Sequence, residues 1–200
     1  MLEIGAGYGH IIIEVLKKGA RVIAVEISQD QLEIIKNRVT ESGLSGLKAI
    51  RAEFPEELDL PENTIDRVLI SRLFHFFTGE RIRESLRKVY AWLKPGGKVF
   101  IVADSVYRTI FKELIPLYEK NVAQGVKWPG WFENVRKLIP QGRLNPEMQP
   151  LAMNLTDSGL ALPFALNALF YGFLYPFVHF LRGHIPVYGF KNLHRLLIGL

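Results

Sequence analysis

A chain of 200 residues with 25 Lys and Arg against 20 Asp and Glu can bury a good core, and its net charge of +5 is modest. It has no cysteine, which excludes a disulfide framework and a thiolate nucleophile and fits a reducing compartment. The basic residues are spread along the chain rather than gathered with aromatics, so a nucleic-acid partner is not expected, and the five scattered histidines lack metal-ligand spacing.

The first ten residues, Met1-Leu2-Glu3-Ile4-Gly5-Ala6-Gly7-Tyr8-Gly9-His10, put a strand, an acid and three alternating glycines directly before a helix. Glycine at 5, 7 and 9 turns the chain sharply and leaves no Cβ between a ligand and the backbone N–H groups at the helix start. Glu3, at the end of the first strand, repels a pyrophosphate and suits a cationic or amino-bearing ligand. The dinucleotide fingerprint asks for glycine at position 10, where this chain has His10. Tyr8 and His10 are expected to wall the ligand.

Residues 21–27 are β-branched and apolar, a buried strand ending in Glu26, an acid placed to take both hydroxyls of a ribose. Ser28-Gln29-Asp30-Gln31 starts a helix with a capping box; Leu32, Ile35 and Val39 share one face, and Gly43 stops it. A third strand, 47–52, ends at Glu53-Phe54, a carboxylate and a ring suited to hydrogen-bond and stack on an adenine. After a turn at 61–64, a fourth strand over 65–70 leads into Ser71-Arg72-Leu73-Phe74-His75. A helix over about 78–93 carries Ile82, Leu86, Val89 and Leu93 at helical spacing. The segment Leu93-Lys94-Pro95-Gly96-Gly97-Lys98 reads as a loop before a fifth strand over 99–103.

Residues 107–153, with Trp128-Pro129-Gly130-Trp131-Phe132 and several prolines, read as loops and short helices rather than a second domain. Residues 158–181 carry no formal charge and many aromatics. Their length would suffice to span a bilayer, but Pro163, Gly172 and Pro176 break the run, which is expected to form two short helices meeting at a bend. Such an apolar pair suits a cap over a substrate pocket; contact with a membrane surface is the alternative.

Over residues 1–104 the sequence resembles the class I S-adenosylmethionine-dependent methyltransferases. The segment Leu2-Glu3-Ile4-Gly5-Ala6-Gly7-Tyr8-Gly9 is similar to that family's first motif, and Glu26 to its ribose-binding acid. Glu53 stands where the family usually has an aspartate near the adenine, Ile65-Asp66-Arg67-Val68-Leu69 resembles its fourth strand, and Leu93-Lys94-Pro95-Gly96-Gly97 the loop before its fifth. The chain departs from the pattern with the longer Glu at 53 beside bulky Phe54, and with His75-Phe76 where a histidine pair is often found.

The resemblance implies an α/β fold, a doubly wound, Rossmann-like, mostly parallel sheet in the order 3-2-1-4-5, with a cofactor core at 1–106 and a helical apolar cap at 107–200. It implies S-adenosylmethionine as cofactor, held by Glu3, Gly5, Ala6, Gly7, Tyr8, Gly9, Glu26, Ile27, Glu53, Phe54, Ser71 and Arg72. Relative to the family, helices before the first strand and a closing hairpin after residues 190–200 are missing, so a truncated product with an open edge at the fifth strand, prone to dimerise, is expected.

Methyl transfer from a sulfonium requires alignment and exclusion of water, and a base only where the acceptor holds a proton. The candidates are His75, just past the fourth strand, and Asp104, at the carboxyl end of the fifth, where open α/β sheets bind ligands. The expected function is methylation of a small, hydrophobic or lipid-like acceptor by a cytoplasmic protein, with membrane association an open alternative. The rival readings are a catalytically silent cofactor-binding fragment, a membrane-associated interaction protein and a nicotinamide-dependent oxidoreductase.

Overall fold

The computed structural model describes residues 1–140 and 152–155. The uncharged run at 158–181 and the expected last helix at 190–200 lie outside the described residues. The chain forms two compact units, Met1–Ser71 with Arg83–Val102, and Arg72–Ile82 with the described part of Ala103–Pro176.

The first unit is built on a five-stranded parallel sheet in the order β3-β2-β1-β4-β5. Strand β1 (Leu2–Ile4) lies at its centre, between β2 (Val22–Glu26) and β4 (Ile65–Ser71), with Leu2 opposite both Ile23 and Val68. All three of its residues are buried, as expected of a strand covered on both faces. Strand β3 (Leu47–Arg51) forms one edge and β5 (Leu93–Val102) the other.

Helix α1 (His10–Leu16) buries Ile12, Ile13 and Leu16. Helix α2 (Gln29–Glu41) adds Leu32, Ile35 and Val39, and together with Val22 and Ala24 these make one apolar core. The ends of α2 are set locally. The Ser28 side chain accepts from the Gln31 N–H at 3.3 Å, while Gly43 adopts φ 62° and Leu44 N–H returns to the Val39 carbonyl at 3.0 Å, closing the helix as a Schellman motif. Helix α3 (Gly79–Trp92) buries Ile82, Leu86 and Val89 as its spacing predicts, and ends with buried Trp92.

The expected loop before the fifth strand is corrected. Leu93 already pairs with Ile65, and regular pairing resumes at Lys98 opposite Arg67, so residues 94–97 bulge out within one long strand. Gly96, at φ 77°, supplies the left-handed turn that the bulge requires.

The second unit has a core of its own, which the irregular composition of 107–153 did not predict. Val106, Phe111, Leu114, Tyr118, Phe132, Val135, Ile139, Met153 and Leu155 are buried together. They come from a 3-10 turn at Thr109–Leu114, helix α4 (Ile115–Ala123), a 3-10 turn at Val135–Lys137 and the antiparallel pair β6 (Trp131–Phe132) and β7 (Met153–Asn154). Residues 72–82 are tied into this unit. Buried Asn154 donates to the Phe77 carbonyl at 3.3 Å, and Trp128 Nε1 donates to Glu80 at 3.0 Å. The Trp128 ring covers Gly79 so closely that a Cβ there would lie 1.7 Å from it.

Candidate functional site

The glycine turn leaves β1 with Gly5, Gly7 and Gly9 at φ 72°, 53° and 71°. Two of these have distinct reasons to be glycine. A Cβ on Gly9 would lie 2.8 Å from Cγ1 of Ile35, a core residue, so the turn can lie on α2 only without one. A Cβ on Gly7 would meet nothing within 4 Å, so the backbone there borders open space. Gly9→Ala combines left-handed strain with an overlap in the core, and should cost about 2–3 kcal/mol of stability in urea unfolding. An unchanged midpoint would contradict that packing.

Glu26 organises this turn. Its carboxylate accepts from Gly7 N–H at 2.9 Å through Oε2, and from Ile27 N–H at 2.9 Å and Ser28 N–H at 3.3 Å through Oε1. These bonds hold the end of β2 and the middle of the turn as one piece and leave part of the acceptor capacity of the carboxylate unused. From the other side, Arg38 of α2 donates through Nη1 to the Tyr8 carbonyl and lies 3.4 Å from His10 Nδ1. The sequence reading missed Arg38; its signal is a cation three residues after Ile35, at a spacing that shares a helix face.

Glu3 sits under the turn, 3 % exposed, and its Oε2 makes no hydrogen bond among the described residues. Burial pushes its pKa up to about 8. A carboxyl in that position is held protonated near neutrality until a cation or a donor reaches it.

The remaining expected residues take different places. Ala6 is buried in the core of the first unit, whereas Tyr8 is 53 % and Ile27 54 % exposed, so the two flank the turn and Glu26 with open apolar surface. Glu53 is exposed after β3, its N–H bound to Glu57 at 2.8 Å. Phe54, expected as a stacking face, is 4 % exposed with its ring centroid 6.2 Å from that of Trp92; its ring serves the core. Ser71 ends β4, opposite Val102 of β5.

Arg72, His75 and Asp104 belong to the second unit. His75 lies in a 3-10 turn at Phe74–Phe76, buried, its ring against exposed Phe76 at 4.0 Å between centroids. Its Nδ1 is buried without a partner among the described residues. Desolvation lowers the pKa of His75; Asp104 opposes that shift, and the guanidinium groups of Arg72 and Arg108 add to it. The outcome is a neutral imidazole at physiological pH. Asp104 is ion-paired to Arg108, four residues further along the loop after β5, a partner that the sequence reading left out.

Residues 1–97 match the sequence profile of the family described as methyltransferase domain. They belong to the class I S-adenosylmethionine-dependent methyltransferases. The cofactor of this family is S-adenosylmethionine. An uncharacterized methyltransferase-like protein of Schizosaccharomyces pombe is 25 % identical over 139 residues, 66 % of this chain and 50 % of that protein. A ubiquinone/menaquinone biosynthesis C-methyltransferase of Coxiella burnetii is 25 % identical over 172 residues, 80 % of this chain and 65 % of that protein. The chain thus spans half to under two thirds of the length of these relatives. A crystallised Pyrococcus horikoshii protein superposes with a TM-score of 0.50 at 21 % identity, covering 60 % of this chain and 53 % of that one, and supports the fold. Among the described residues no helix is long and apolar enough to cross a membrane, and no cluster of His, Cys, Asp and Glu could hold a metal ion.

Proposed function

We propose that this protein transfers a methyl group from S-adenosylmethionine to a small acceptor that is hydrophobic or lipid-like. The observation that carries the reading is Glu3, a buried carboxyl with an unpartnered oxygen below a glycine turn whose Gly7 borders open space. Such a group ionises at neutral pH only if a ligand brings it a positive charge or a donor. The amino acid end of S-adenosylmethionine carries both an ammonium and a sulfonium, whereas a nicotinamide dinucleotide would bring a pyrophosphate.

In this reading Glu3 and the backbone of residues 5–9 hold the amino acid end, and Glu26 takes the ribose hydroxyls with the capacity left by its three backbone bonds. Ile27 and Glu53 flank the adenine. The bound cofactor supplies an electrophilic methyl group on sulfur. His75, kept neutral by burial, is the group assigned to accept a proton where the acceptor must lose one. An apolar acceptor is supported by the exposed rings of Phe76, tilted against His75, and Tyr107, and by the quinone-biosynthesis relative.

Calorimetry with S-adenosylmethionine and with S-adenosylhomocysteine tests the reading. Saturable binding of both is expected. Saturable binding of NADH, without binding of either, would replace it with the oxidoreductase reading.

A further inference from the structure

Arg72 stands out in the second unit. It is one of two non-glycine residues with positive φ among those described, at 54°, a conformation in which a Cβ crowds the following carbonyl. Its side chain is exposed and makes no hydrogen bond or ion pair with another described residue. A strained backbone that aims an unpartnered guanidinium is unusual unless the guanidinium has a task. Three residues on, His75 keeps Nδ1 buried and unpartnered, and Arg72, Asp104 and Arg108 all act on its ring electrostatically. Among the described residues, two guanidinium groups and one carboxylate act on this neutral ring, an excess of positive charge. Asp104 occupies part of Arg108 only, because a guanidinium has five N–H donors.

We propose that Arg72 and Arg108 bind an oxyanion carried by the methyl acceptor, with His75 Nδ1–H donating to the same group. The inference rests on the methyltransferase reading above and narrows it: the acceptor is an amphiphile with an acidic head, phosphate or carboxylate. A planar guanidinium matches two oxygens of either group, and the ligand would satisfy the buried nitrogen of His75 at the same time. Along the chain, Arg72 directly follows β4 and Asp104 comes two residues after β5.

The test uses inorganic phosphate at constant ionic strength, followed through the His75 ring signals by NMR. Saturable shifts are expected for the parent. Arg72→Gly suits the left-handed backbone and should fold at least as well, yet its phosphate affinity should fall ten- to a hundredfold. Equal titrations of parent and variant would overturn the proposal. A second titration in saturating S-adenosylhomocysteine separates the acceptor from the cofactor's own carboxylate. Phosphate binding that persists supports the acceptor site, and competition overturns it by assigning Arg72 to the cofactor. Octanoate in place of phosphate then reports whether a carboxylate head serves. Failure of S-adenosylhomocysteine to bind the parent would remove the methyltransferase reading while leaving the phosphate result to stand by itself.

Discussion

Replacing Glu3 with glutamine should make the cofactor-free protein more stable at neutral pH and at the same time cripple cofactor binding. The ordinary pKa of 4.5 is raised to about 8 in the fold, so the folded state binds the extra proton. The unfolded chain, in contrast, ionises as the pH rises through 4.5. Stability is therefore full below pH 4.5 and falls as the pH rises toward 8; at pH 7 the cost is about 3 kcal/mol. Glu3→Gln removes this slope and should recover about 3 kcal/mol at pH 7 and about 4 kcal/mol at pH 8, while losing a charged contact that is worth ten- to a hundredfold in cofactor affinity. Urea unfolding at pH 5 and pH 8, with calorimetry at pH 7.5, measures both effects. A parent protein as stable at pH 8 as at pH 5, relative to the glutamine variant, would mean that Glu3 is ionised and paired in the ligand-free state.

Glu26→Ala is expected to act in one direction only. Three backbone N–H groups, those of Gly7, Ile27 and Ser28, lose their acceptor together, and a water can replace it only in part. The fold should lose about 2–4 kcal/mol. Cofactor affinity should fall ten- to a hundredfold from the ribose contact, and further because the turn is no longer held. Equal affinities of parent and variant in calorimetry would refute the ribose role. A large loss of stability with unchanged affinity would leave Glu26 as a brace for the turn alone.

What could be read from the sequence was local. The glycine spacing gave the turn after β1, Ser28 and Gly43 gave both ends of α2, and the β-branched runs gave β2 and β4, because each depends on neighbours within a few residues. Glu26 was legible as an acid at a strand end, but not as the acceptor of three backbone bonds, which requires Gly7 to return beside it after nineteen residues. Leu93 looked like a helix end because Pro95 and Gly96 follow it, yet pairing with Ile65 across the sheet overrides that signal and extends β5. The core of the second unit was hidden because its residues come from short pieces with no shared period, among them Val106, Phe132 and Leu155. The strain at Arg72 was equally hidden: nothing in an arginine codon marks a left-handed backbone.

The threading of the chain between the two units bears on how the protein can be made and dissected. Residues 72–82 interrupt the first unit in sequence yet pack with residues that follow 103, including Trp128 and Asn154. During synthesis the amino-terminal sheet emerges first, and this eleven-residue insert, with His75 in it, must wait for partners that the ribosome delivers later. No single cut therefore yields either unit whole. A fragment ending at 102 would carry the insert without Trp128 and Asn154 to hold it, so a minimal cofactor-binding piece would need residues 72–82 replaced by a short connector rather than the carboxyl half removed.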